Sequence, residues 1–342
     1  MPFVTRWDLD KTYLRTEFDT LGDLWRTALE RPDQKRAVPG AAALLRALGE
    51  TGARIHVLSG SPRQLRARVE EKLRIDGVRW DELTLKPNLS NMLRLRLRAV
   101  RDQLGYKLPV LLVSREEDQR RNEPEGGALE VLVGDDAEAD AFVYSLYADL
   151  CEGTVGKSLL ERVLTVGETY ADQREACLAA LGNIVPGPTV ARILIHLDRQ
   201  SPPSDFDLYG PRVVPFYNYL QAAFVLVEDG IVDGRGPVAV ASDLVEHRFD
   251  GEALARSYLD LHRRGHARGT AVPKVRAALD AVRGRLEPIT LGRLDEMCDL
   301  IDSYMIAPPT PRPHRPFELD YVKLATRHRR GKNRKQFRVI SE

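Results

Sequence analysis

The chain has 342 residues, 51 of them basic and 50 acidic, for a net charge of +1, with 43% apolar and 30% charged residues. That balance describes a globular protein large enough for two cores and gives no global attraction to nucleic acid or membrane, so any electrostatic preference is local. No apolar run reaches the roughly 18 residues of a membrane span, the start lacks the signature of a secretory signal, and Cys151, Cys177 and Cys298 are scattered and odd in number; reduced thiols and a cytoplasmic protein, at most peripheral at membranes, are expected.

Residues 1–152 alternate short apolar runs with helical patterns, which predicts an α/β fold with a doubly wound, mostly parallel sheet. Strands are expected at Val4–Leu9, Arg54–Leu58, Leu83–Leu85 and Leu129–Val133. Helices are expected around Leu24–Leu29, over Pro39–Leu48, and from Ser61 as N-cap with Pro62 in the first turn. Two more are expected over 89–104 and 107–121, broken at Gly105. So few residues separate Thr12 from the second strand that no large cap domain is expected there.

After Cys151 the spacing turns to successive amphipathic helices, at 157–166, 170–181, 188–199, 213–229, 237–247, 251–264, 272–285 and 290–305. This predicts a second, mostly helical domain over 153–310. The aromatic group Phe216 to Phe224 has helical spacing and reads as core. His262 and His266 stand at i, i+4 spacing, but flanking arginines repel a cation, so a solvated basic helix end is expected rather than zinc. Residues 311–342 read as a Pro-rich linker and an exposed basic arm, with seven basic residues and no acid from Arg327 to Arg338. Such an arm suits an anionic membrane surface or the phosphates of a nucleic acid.

The first strand ends on "DLDKT", where Asp8 and Asp10 crowd two like charges against a buried run. In an open parallel sheet, function gathers at the carboxyl ends of strands, and two further segments share that position. These are "VLSGSP", with Ser59 and Gly60, and "LVGDDAEAD", with Asp135, Asp136 and Asp140. Carboxylates, hydroxyls and a lysine together suit a hard oxygen-binding cation and a phosphoryl group. Mg2+ shared by Asp8 with Asp135 or Asp136 would offset the crowding. One of Asp8 and Asp10 is then placed to attack phosphorus, and the other to protonate the leaving oxygen and later deprotonate water. Thr12, Ser59 and the amides after Ser59, Gly60 first, are expected to hold phosphate oxygens at the start of the following helix.

At these residues the chain resembles the haloacid dehalogenase-like phosphohydrolases, whose four motifs occur here in the same order. More narrowly, "PGAAALLRALGETGARIHVLSGSPRQL" and "LVGDDAEADAFVYSLYADL" resemble the actin-patch-associated phosphatidate phosphatase catalytic domain, over roughly residues 1–150. The resemblance implies that Asp8 is the nucleophile and Asp10 the acid/base. It also implies that Thr12 and Ser59 contact phosphate, and that Asp135, with Asp136 or Asp140, holds Mg2+. The metal set is thus expected among Asp8, Asp10, Asp135, Asp136 and Asp140. Lys107 is expected to be the site lysine, with Lys86 in "LKPN" as the alternative phosphate-binding lysine. The chain departs from the narrower family at Lys11, where that family usually has an acid, and at Arg63, where it has an aromatic residue.

The function expected is a Mg2+-dependent phosphomonoester hydrolase working through an aspartyl-phosphate. A phosphatidate-like lipid is the substrate that the resemblance favours. The alternatives are a nucleic-acid end, nucleotide or phosphoprotein as substrate, and a non-catalytic scaffold that uses the helical region and the basic arm.

Overall fold

The computed structural model describes residues 3–14, 37–86, 99–121, 128–305 and 319–328. Six strands form one all-parallel sheet: β1 (Phe3–Asp8), β2 (Arg54–Pro62), β3 (Glu82–Lys86), β4 (Leu129–Asp135), β5 (Val190–His196) and β6 (Val213–Phe216). Their order is β3-β2-β1-β4-β5-β6. The chain winds outward one way from β1 through β3 and the other way from β4 through β6. The crevice between the ends of β1 and β4 is therefore the topological switch point, where open α/β sheets bind ligands.

Side chains alternate across the sheet and feed two cores. Trp7, Val131, Val133 and Leu194 face one layer, packing with α1 (Ala41–Glu50), α2 (Arg66–Ile75), α7 (Tyr219–Glu228), α8 (Arg235–Glu246), α9 (Gly251–Arg263), α10 (Ala271–Val282) and α11 (Pro288–Tyr304). Leu58, Leu132, Ile193 and Ile195 face the other layer, with α3 (Ala99–Arg121), α4 (Asp140–Cys151), α5 (Lys157–Val166), α6 (Ala171–Asn183) and α12 (321–328).

The division expected at residue 152 crosses this sheet, because β5 pairs with β4 and both cores mix residues from either side of it. The reason lies in two segments that read as helices. "VARILIH", within 188–199, is strand β5, and "VVPF", the start of 213–229, is strand β6. Continuous apolar runs buried on both faces have no two-residue alternation, so they mimic a buried helix in sequence. Pro215 is tolerated because β6 is an edge strand.

Gly105 does not break a helix. α3 runs through it and through Pro109, held by Leu104, Leu108, Leu111 and Leu112 against the second core. A Cβ at Gly105 would meet the side-chain amide of Gln173 on α6. The helix expected from Ser61 starts later, since β2 continues to Pro62 and a short 3-10 turn precedes α2. His262 is buried, its Nδ1 2.9 Å from the Ala267 carbonyl, rather than solvated. The helix expected around Leu24–Leu29, most of 89–104, and the arm beyond His328 lie outside the described residues. Among the described residues no helix is long and apolar enough to cross a membrane.

Candidate functional site

Asp8 is the last residue of β1 and Asp135 the last of β4, on the two sides of the switch point. Because Trp7 faces the first layer, the alternation of the strand turns Asp8 toward α3 and α4. From α3 comes Lys107, buried, with its Nζ 3.0 Å from Asp8 Oδ1, 2.8 Å from Glu138 Oε2 and 2.5 Å from Asp140 Oδ1. Asp140 opens α4, and its Oδ2 accepts from the Asp135 amide at 3.1 Å. Asp135 Oδ1 accepts from the amides of Ala137 (2.6 Å) and Glu138 (3.0 Å), which shapes the turn between β4 and α4. Thr12 Oγ1 donates to Asp135 Oδ2 at 3.4 Å and so ties the turn after β1 to the end of β4.

Asp8, Asp135, Glu138 and Asp140 offer carboxylate oxygens that all lie within 4.8 Å of one another. Three of the four are buried. Burial pushes the carboxyls of Asp8 and Asp135 well up and that of Asp140 up, and repulsion from neighbouring carboxylates adds to the rise in each, while Lys107 pulls all three back down. One ammonium cannot balance four carboxylates at this spacing. Lys107 itself is held charged, because the attraction of Asp140, Asp8 and Glu138 outweighs the cost of its burial.

The oxygen that Lys107 does not reach is the informative one. Asp8 Oδ2 is buried and has no hydrogen-bond partner, a costly state for a carboxylate oxygen. An all-oxygen donor set with one bare carboxylate oxygen and an excess of negative charge fits a hard divalent cation such as Mg2+. Asp8, through its bare oxygen, is the residue open to such an ion, whereas Asp140 Oδ1 and Glu138 Oε2 are paired with Lys107 and both Asp135 oxygens accept hydrogen bonds.

Asp10 is not one of these four carboxylates. It is half-buried, and its Oδ2 accepts from Ser59 Oγ at 3.1 Å. Ser59 Oγ also accepts from the Ser61 amide at 3.0 Å, so one of the amides expected to cradle phosphate is already engaged. Gly60 lies within β2 and α2 begins only at Arg66, so the amides just after Ser59 do not stand at the start of that helix as expected. Asp136 is not brought into the cluster. Its carboxylate accepts from the amides of Arg199 (2.8 Å) and Ser201 (3.0 Å) and pins the loop after β5. Lys86 ends β3, two strands away from β1, and its side chain lies outside the described residues; Lys107 is the lysine placed on Asp8.

Four residues of the site escaped the sequence reading. Glu138 sits between two expected acids in "GDDAEAD" and was visible only as a third acid in that run. Gly134 matters through close approach, as a Cβ there would lie 2.2 Å from Asp140 Oδ2. Tyr219 stacks on Trp7 with ring centroids 5.5 Å apart and donates to the Thr12 carbonyl at 2.5 Å, fixing the turn from the far end of the chain. Tyr106 donates to the Ser59 carbonyl at 2.7 Å and holds the exit of β2. Sequence spacing carries no signal for the last two, whose partners are more than 45 positions away.

The chain matches no known family model and no curated protein.

Proposed function

We propose that this chain is a Mg2+-dependent phosphomonoester hydrolase that works through an aspartyl-phosphate. The observation that carries this reading is the state of Asp8: buried at the switch point in a cluster of four carboxylates, with one oxygen held by Lys107 and the other bare. The order of motifs that resembles the haloacid dehalogenase-like phosphohydrolases supports it independently.

In this reading an Asp8 oxygen attacks phosphorus, and the bond from phosphorus to the leaving oxygen breaks. Asp10 gives its proton to that oxygen, leaving an alcohol and a phosphate ester of Asp8. Asp10, now ionised, takes a proton from water as the water oxygen attacks phosphorus, and the acyl-phosphate bond opens to release phosphate and restore Asp8. Lys107 stabilises charge on the transferring group and holds Asp8 in line. Mg2+, held by Asp8 and Asp135, would neutralise the incoming phosphate against the carboxylates. Ser59 keeps Asp10 oriented, and Thr12 keeps Asp135 oriented.

The test is a phosphate-release screen over phosphatidate, nucleotide, nucleic-acid-end and phosphoprotein substrates, with and without Mg2+. Release is expected only with Mg2+, and Asp8→Asn should abolish it while the circular dichroism spectrum stays that of the parent. Mg2+-dependent release that survives in Asp8→Asn would remove the nucleophile. No release on any class, with the fold intact, would favour a binding scaffold.

A further inference from the structure

A cavity of about 360 Å3 shares a wall with the carboxylate cluster, since Asp135 and Glu138 line both. That volume is within the range of small-ligand sites. Its lining combines the acids Asp135, Asp136, Glu138 and Asp205, the aromatic residues Phe142, Phe206 and Tyr209, and an exposed rim of Arg199 and Arg327.

The rim is assembled by two separate devices. Asp136 binds the Arg199 and Ser201 amides and so fixes the loop that carries Arg199. α12 is docked by Tyr321, whose hydroxyl donates to Asp149 Oδ2 at 2.5 Å, and by Leu324 and Ala325, which join the second core. That docking sets Arg327 at the rim and lays the His328 ring against Phe142, centroids 5.4 Å apart. A residue more than 180 positions beyond Asp140 is thus delivered next to the site.

The geometry points to this cavity as the seat of the leaving group, and to a leaving group that carries a second phosphate read by Arg199 and Arg327. The inference rests on the hydrolase reading and names its substrate class. The four acids of the lining repel any anion that a cation does not bridge, so a second anion is placed at the arginines, with the uncharged part of the substrate against the aromatic residues. Guanidinium groups suit phosphate through paired, charge-assisted hydrogen bonds. Two sources share this chemistry: a small bisphosphate, and a nucleic-acid end whose next phosphate lies one sugar away.

The experiment compares kcat/KM of the full chain for a nucleoside 5′-monophosphate, the corresponding 3′,5′-bisphosphate and a 5′-phosphorylated trinucleotide, in the parent protein and in Arg199→Ala and Arg327→Ala. The bisphosphate should exceed the monophosphate by about tenfold or more, mainly through KM, and each variant should bring that ratio toward one. A trinucleotide better than the bisphosphate assigns the nucleic-acid source; one no better assigns the small molecule. Equal rates for monophosphate and bisphosphate in the parent, or variants that slow both alike, overturn the inference. Calorimetric titration of the same nucleotides into Asp8→Asn separates the two readings. Tighter binding of the bisphosphate, lost in Arg327→Ala, upholds the cavity even where no substrate turns over, whereas equal binding removes it.

Discussion

Gly134 shows how much of the site depends on one missing methylene. With a side chain there, Asp140 would have to move, and with it the two bonds that orient Lys107 and the Asp135 amide. Gly134→Ala is expected to reduce phosphate release and raise the Mg2+ needed for half-maximal rate by about 10- to 100-fold, the usual cost of disturbing groups behind a metal ligand. A Mg2+ activation curve that superimposes on the parent's would show that Asp140 does not position the site. The crowding of Asp8 and Asp10 has a similarly local resolution. The two carboxylates face different partners, Lys107 for Asp8 and Ser59 for Asp10, and of the two Asp8 belongs to the four-carboxylate cluster.

At the scale of elements, strand β1 carries charge on both halves of one face. Arg6, two residues before Asp8, is fully buried and binds Glu130 at 2.8 Å and Asp118 at 2.8 Å, while Glu130 also accepts from Tyr147. This pairing locks β1, β4 and α3 together beneath the site. Arg6→Met should cost about 1–3 kcal/mol in urea unfolding, because it removes charged hydrogen bonds from two buried carboxylates that keep Arg54 on Asp118 and Arg115 with Tyr147 on Glu130. His56 on β2 belongs to the same network, with its Nδ1 3.0 Å from Arg6 Nη1. Burial, and then the Arg6 charge, hold its pKa below the ordinary 6.5, although Glu82 pulls the other way. The folded protein therefore binds fewer protons at His56 than the unfolded chain between that lowered value and 6.5. Stability from this group is present above about pH 6.5 and is lost as pH falls toward the folded value. His56→Gln should flatten the slope of unfolding free energy against pH in that window; an unchanged slope would place its origin elsewhere.

On the scale of the molecule, the site is held together by charges that the fold alone leaves unbalanced. With no cation bound, the raised carboxyls of Asp8, Asp135 and Asp140 mean that the folded state binds more protons than the unfolded chain above the ordinary carboxylate range. Their ionisation costs stability as pH rises through those raised values. Mg2+ should thus raise the thermal midpoint at neutral pH, by about 2.7 kcal/mol of stability at 100 times its Kd, and the gain should shrink as pH is lowered. Differential scanning calorimetry with and without chelator reads this directly; a midpoint indifferent to Mg2+ at every pH would mean that the cluster is balanced by protons alone.

Much was legible in the sequence wherever local chemistry dictates the outcome. β1, β2 and β4 announced themselves through short apolar runs closed by Asp or Ser, although β2 continues past Leu58 to Pro62, and the spacing over 157–166 and 251–264 matches α5 and α9 to within a residue. Local periodicity decides the two helices because each has one apolar face and one wet face. What only the tertiary structure decided was long-range. It made strands of two apolar runs buried on both sides, joined the two halves into one sheet across residue 152, and chose Glu138 over Asp136 beside Lys107. It also brought Tyr219 and α12 back to the site. A sequence records which groups are apolar or charged, whereas which of several equivalent acids shares a buried space is settled by the packing of elements far apart in the chain.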